Sequence, residues 1–335
     1  MSRSGPHGFG AYFEVEGAIL HHQQVFARSP GEARLGAYSR KLKAVGRLPV
    51  RYTDKKSSCF CDRVEDDPAL FIAPYMMGHY GHTMFDGIAT AYAAIMEAQM
   101  SMANLTFYMD FLPGPAIKEI IASTDDQGRM NLGMWGEVFG AFSSHPIFNL
   151  RTLLEQSSHQ VICFKQLVMG QSMTIDHIRT GEKWFNWTML RDMGDVLHQH
   201  LPGGEGLQDS DCTYRITVVD RQGARQIVNV GELSDALKQV LHDEGVQHSC
   251  VVLAAMEDTS IGQQVHLMRQ TRILVGVDGS GLLNSAFMPR CGGCVHIKPY
   301  LQESTEAGKE NEFMRFCQNI PGQWRSWSND DVNRV

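Results

Sequence analysis

From residue 213 onward the chain alternates short runs of apolar, β-branched residues with longer stretches of helical periodicity. Residues 213–220 read TYRITVVD, suited to a buried strand, and lead into the turn-like Arg221-Gln-Gly-Ala-Arg225. Residues 232–244 carry Leu233, Ala236, Leu237, Val240 and Leu241 at helical spacing and stop at Gly245. A strand over 250–255, a helix over 260–272 and a strand over 273–277 follow. Gly279-Ser-Gly281 then opens a helical stretch to about Met288, and 294–297 forms another strand. Strands and helices alternating at these lengths predict parallel βαβ units in a doubly wound sheet.

The first half is less regular. A strand is expected over 69–73, and a helix over 83–100 with Phe85, Ile88, Tyr92 and Ile95 on its buried stripe. Strands over 105–109 and 161–164 and helices over 136–142 and 183–200 complete the pattern. Residues 201–211 form a polar, glycine-rich linker, which divides the chain into two α/β domains, 1–205 and 206–335. Two such halves joined by a linker suggest a ligand cleft.

Composition narrows the function. Of 335 residues, 30 are Lys or Arg and 37 are Asp or Glu, for a net charge of −7 without blocks of one sign. Such a balance argues against nucleic acid as a partner, which needs a concentrated cationic face. The uncharged stretch 68–85 contains two His, two Pro and two Gly, so no membrane span is expected in it. The first ten residues lack the apolar core of a signal peptide, so the chain is expected to work in the cytosol or to lack its targeting segment. Eight cysteines are too few for a disulfide scaffold. The close pairs Cys59/Cys61 and Cys291/Cys294 are compatible with a four-thiolate zinc site, but buried or loop thiols account for them more simply. Asn104-Leu-Thr106 and Asn186-Trp-Thr188 are glycan-acceptor triplets should the chain be secreted.

Two clusters carry chemistry. In the second half an apolar strand runs through Asp278 into Gly279-Ser280-Gly281-Leu282 and onward to Asn284. Glycines allow close approach of backbone to a phosphate, and free N–H groups at a helix start favour an anion. A tight βα turn with glycines for sterics fits the same residues. Arg221 and Arg225 follow the first strand of that unit, the edge at which open parallel sheets bind ligands, and guanidinium groups clamp diphosphates. In the first half, His82 and Asp86 are i,i+4 neighbours at the start of a helix. Such a His can act as a base, with the carboxylate holding its other ring nitrogen. A solvated His–Asp pair of no consequence has the same spacing.

These residues resemble glycosyltransferase family 61, which includes protein O-linked N-acetylglucosaminyltransferases and plant xylan xylosyl- and arabinosyltransferases. Gly81-His82-x-x-x-Asp86 is similar to its N-x-x-H-x-x-x-D element, and 161–170 to its C-F-x(n)-G segment. Residues 220–229, DRQGARQIVN, resemble its S-R-x-x-x-R-x-I-x-N signature, which places Asn229 beside the two arginines. Residues 276–284 with Phe287-Met-Pro289 resemble G-x-H-G-A-G-L-T-N-x-x-F-x-P, and Val295-His-Ile-Lys-Pro299 follows at the expected interval. Three departures stand out. Asp278 replaces the usual His, His296 the usual Glu, and Gly78 or His79 stands where Asn precedes His82.

The resemblance implies two Rossmann-like domains facing a cleft, the GT-B type, with 1–205 on the acceptor side and 206–335 on the donor side. It implies no cofactor, a UDP-sugar donor, a glycan or glycoprotein acceptor, inversion at the anomeric carbon, and a Golgi or ER lumen setting. In that reading His82 is the base and Asp86 orients it. Arg221, Arg225 and the backbone of Gly279, Ser280, Gly281 and Leu282 hold the diphosphate, with Asn229 and Asn284 supporting those loops. Asp278 is expected to turn from the phosphates towards sugar hydroxyls or an arginine such as Arg221. No metal is expected, since arginine and the helix dipole can stabilise the leaving diphosphate without one. Residues 313–327 are expected to pack back across the cleft. Alternatives are a catalytically inactive nucleotide- or sugar-binding relative and a Rossmann-type methyltransferase, for which Glu257 or Asp258 would bind ribose.

Overall fold

The computed structural model describes residues 12–21, 24–28, 33–35, 44–45, 48–53, 61–73, 79–109, 124–150, 152–153, 161–171, 187–204, 212–222, 225–298, 317 and 323–328. Cys59, Gly78, Asn186 and most of the expected linker lie outside them. The chain divides into two compact units, Met1–Asn186 and Trp187–Val335.

The first unit is built on a mixed sheet. Its strands are β1 (Tyr12–His21), β2 (Gln24–Arg28), β3 (Ala33–Leu35), β4 (Ala44–Val45), β5 (Leu48–Thr53), β6 (Arg63–Glu65), β7 (Ala69–Ala73), β8 (Thr106–Met109), β9 (Ile147–Asn149) and β10 (Ile162–Gln171). The order is β4-β5-β2-β1-β10-β7-β8-β9, with β3 against β1 and β6 against β10. The run β10-β7-β8-β9 is parallel. The strands of the first 53 residues were not expected, and β1 pairs antiparallel with β10.

A helix crosses from β7 to β8. It opens as a π-helical segment, His82–Ile88, and continues as α1 (Ala89–Glu97). Phe85, Ile88, Tyr92 and Ile95 are buried, as their spacing predicts. They meet a core of Leu70, Phe107, Phe142 and Phe139, the last on α2 (Met134–Gly140). Tyr92 packs on Phe142 at 5.5 Å and Phe107 meets Phe139 edge-on at 5.4 Å between ring centroids. Edge-on and offset aromatic pairs fix a core more specifically than aliphatic burial alone.

The second unit contains α3 (Trp187–His200), β11 (Tyr214–Val219), α4 (Val230–Asp243), β12 (Ser249–Ala254), α5 (Ile261–Gln270), β13 (Thr271–Val277), β14 (Gly293–Lys298) and β15 (Gln323–Ser328). All five strands are parallel, in the order β12-β11-β13-β14-β15. Right-handed crossovers place α4 and α5 on opposite faces, because the direction of travel reverses between β12 and β13. On the α4 face, Ile216, Val218, Val275 and Leu241 form a core joined by Leu233 and Leu237. On the other face, Thr217 and Thr271 share a hydroxyl hydrogen bond at 2.7 Å. There α3 is tied to α5 by Arg269, which donates to the Arg191 carbonyl at 3.2 Å and pairs with Asp195 at 2.5 Å.

Of the stretch 313–327 expected to pack across the cleft, residues 323–327 lie in β15, the edge strand paired with β14 from Gly293↔Gln323 to Lys298↔Ser328. Apart from Cys317, the rest of that stretch lies outside the described residues. One expectation is corrected: the cysteines are not mostly thiols. Disulfides join Cys61 to Cys163, Cys212 to Cys250 and Cys294 to Cys317, while Cys291 is an exposed thiol. With Cys61 and Cys294 each bonded to a distant partner, the zinc reading of the close pairs falls. No helix among the described residues is long and apolar enough to cross a membrane.

Cys212 and Cys250 close a loop of sequence separation 38 at the start of adjacent parallel strands. A Cys212→Ser, Cys250→Ser double variant should therefore lose about 2–4 kcal/mol of stability. An unchanged denaturation midpoint would show that the two sulfurs are not joined in solution.

Candidate functional site

In a parallel sheet of order 2-1-3-4-5, ligands bind beyond the carboxyl ends of the strands where the order reverses. In the second unit that point lies between β11 and β13. The segment after β11 carries Arg221 and Arg225, and the segment after β13 is Asp278-Gly279-Ser280-Gly281. The predicted residues therefore meet at one edge of one sheet.

Asp278 organises that edge. Its backbone N–H donates to the Ile297 carbonyl at 3.1 Å, which extends the pairing of β13 with β14. The residue is buried at 1 % exposure, and a lone charge there would cost several kcal/mol. One carboxylate oxygen, Oδ1, accepts from His296 Nε2 at 2.9 Å. The other, Oδ2, accepts from Arg225 Nη1 at 3.3 Å. Arg221 Nη1 reaches the Asp278 carbonyl at 3.5 Å. The arginine on the carboxylate is thus Arg225, whereas Arg221 holds the backbone.

Two backbone features make this possible. Arg225 sits in the left-handed region at φ 60°, a conformation that non-glycine residues adopt at a cost of about 1–2 kcal/mol. Gly279 leaves the space that Arg221 occupies, since a Cβ there would lie 2.0 Å from Arg221 Nη1. The expected helix after the glycines is a 3₁₀ helix, Ser280–Phe287, in which Leu282 is buried and its N–H donates to the Gly279 carbonyl at 3.0 Å. Asn284, fully buried, donates from Nδ2 to Gln264 Oε1 at 3.0 Å. Gln264 Nε2 in turn donates to the carbonyls of Met256 and Thr259, so Asn284 ties the turn to the segment after β12. Asn229 is exposed and donates to Glu232 at 3.2 Å at the start of α4.

In the first unit, His82 and Asp86 lie in the π-helical segment, and His82 Nδ1 donates to Asp86 Oδ2 at 2.6 Å. Asp86 is 4 % exposed, so this is not a solvated surface pair. The His79 ring lies 4.9 Å from that of His82, centroid to centroid. π-helical insertions are rare and concentrate at functional sites.

His296 is the site residue whose contact the sequence did not announce. A signal existed. Asp278 and His296 are eighteen residues apart, a span that brings the ends of adjacent parallel strands together, and Gly276 pairs with His296 in register. Glu257 and Asp258 are exposed in a 3₁₀ turn after β12, on no strand of their own.

The contact at Gly279 yields a direct expectation. Gly279→Ala should push the Arg221 guanidinium off the Asp278 carbonyl, since the end of an arginine side chain moves more cheaply than backbone. A crystal structure of the variant with Arg221 in its original place would contradict this packing.

The profile of the family described as Glycosyltransferase 61 matches residues 80–295. That span takes in His82, Asp86, both arginines and the whole Asp278–Asn284 turn. No curated protein matches the chain. A family match over nearly two-thirds of the 335 residues leaves no place for the methyltransferase reading, and the chain belongs to glycosyltransferase family 61.

Proposed function

We propose that this glycosyltransferase moves a sugar from a UDP-sugar to a hydroxyl of a glycan or protein, with inversion at the anomeric carbon. The donor side falls to the second unit in this GT-B reading, and no metal or other cofactor is required. The observation that carries it is the convergence of Arg221 and Arg225 on the Asp278–Gly279 turn at the switch point of a parallel sheet. Two guanidinium groups and one carboxylate leave a net positive charge there, suited to a diphosphate. The N–H groups at the start of the 280–287 helix add dipoles of the same sign. Arginine and backbone dipoles can stabilise a leaving diphosphate without a metal ion.

In this reading each cluster has its own part in the reaction. His82, with Nδ1 held by Asp86, takes the acceptor hydroxyl proton at Nε2. The acceptor oxygen forms its bond to the anomeric carbon from the side opposite UDP. The bond from that carbon to the diphosphate oxygen breaks, and UDP leaves with the electron pair. One displacement of this kind inverts the anomeric centre. Asp86 stabilises the imidazolium that forms on His82.

The inactive-relative reading has one observation in its favour: a carboxylate, Asp278, stands at the phosphate-binding turn. Its engagement with Arg225 and His296 directs that charge into the protein and away from a ligand. UDP release during incubation with UDP-sugars separates the two readings, because an inactive relative would bind UDP and release none.

His82→Ala should lower turnover by about 100-fold or more while donor affinity stays near normal. Turnover that survives with an unchanged pH profile would assign the base to another group. Arg225→Ala should weaken UDP binding by about 1.5–3 kcal/mol, the worth of a charge-assisted contact. Calorimetry giving the same affinity for both proteins would remove Arg225 from the donor site.

A further inference from the structure

We propose that Asn104 carries an N-linked glycan, attached before β8 joins its sheet. Three observations converge. Asn104-Leu-Thr106 is an acceptor triplet. In the fold, Asn104 ends a 3₁₀ turn, Met102–Asn104, and is exposed, while Leu105 and Thr106 directly after it are buried. Finally, six of the eight cysteines are joined in disulfides, which form and persist in oxidising compartments such as the ER lumen. N-linked transfer takes place in that same compartment, so the triplet and the transferase would meet.

The geometry permits a bulky sugar at this position. The turn is pinned from behind: Ser144 Oγ donates to the Ala103 carbonyl at 3.1 Å, and Ser143 Oγ donates to the Leu105 carbonyl. Its backbone is therefore fixed while the Asn104 side chain stays exposed. The location is also compatible with activity. Asn104 precedes β8, at the edge where Ala69 opens the parallel strand β7, whereas His82 begins the helix that leaves the far end of β7. A glycan on Asn104 would project from the sheet edge opposite His82.

The order of events follows from Thr106. The transferase reads the hydroxyl two residues after the asparagine, on an extended chain. In the fold Thr106 is 6 % exposed and its hydroxyl shares a hydrogen bond with His145 Nδ1 at 3.0 Å, while the Thr106 N–H donates to the Pro68 carbonyl at 3.0 Å. Modification therefore precedes the docking of β8. In the step itself, Asn104 Nδ2 bonds to the anomeric carbon of a lipid-diphosphate-linked oligosaccharide. The bond from that carbon to the diphosphate oxygen breaks, the lipid diphosphate leaves with the electron pair, and one amide proton passes to the transferase.

The test uses protein from its own cells, treated with peptide-N-glycosidase in heavy-oxygen water and mapped by mass spectrometry. The expected result is conversion of Asn104 to oxygen-labelled aspartate. Recovery of plain Asn104, or label confined to Asn186, would overturn the proposal. The timing has its own readout in purified protein given microsomal transferase and lipid-linked oligosaccharide. The reduced, unfolded chain should gain a glycan at Asn104 and the folded, oxidised chain should not. Equal modification of the two would overturn the claim that transfer precedes folding of β8.

Discussion

A buried carboxylate has to be answered by its surroundings, and the architecture of the second unit's carboxyl edge follows from how Asp278 is answered. At 1 % exposure it requires partners on each oxygen, and it draws them from separate segments of the chain. His296 comes from β14, Arg225 from the segment after β11, and Arg221 reaches the carbonyl of the same residue. One residue thus ties its own segment to two neighbouring ones at the carboxyl edge of the sheet. The left-handed backbone at Arg225 and the missing Cβ at Gly279 are local costs accepted so that both guanidinium groups can arrive. Where the family pattern has His and then Glu, this chain has Asp278 and His296, and the two are in contact.

The second unit was legible because strands buried on both faces read as continuous apolar runs. Residues 273–277 and 294–297 show this, and every strand of that sheet except β15 lies within about two residues of the expectation. The same rule explains why β15 was missed: its sequence, QWRSWS, is an edge strand with no apolar run. In the first unit, β1 pairs with β10 nearly the whole length of the unit away, so no local pattern announces its register. The spacing of His82 and Asp86 was readable, but the burial that distinguishes their pair from a solvated one was not.

The cysteines show a different limit. Counting eight of them in 335 residues argued against a disulfide scaffold, yet each bond is made by residues that only the fold brings together. Cys212 and Cys250 stand at the starts of adjacent strands, and Cys163 lies in β10 directly beside β6, next to Cys61. Pairing depends on topology, which sequence spacing alone does not contain. Of the two settings considered, the cytosol and the Golgi or ER lumen, disulfides of this kind are the more compatible with the lumen.

The central claim is that the arginines and the turn at Asp278 hold a diphosphate. Calorimetric titration of the full chain with UDP and, separately, with uridine tests it most directly, because the two ligands differ only in the group the clamp would bind. UDP should bind at least about tenfold more tightly than uridine, a difference of about 1.4 kcal/mol or more, and should do so equally in the presence of EDTA. Equal affinity for the two ligands, or UDP binding that disappears with the chelator, would contradict the account.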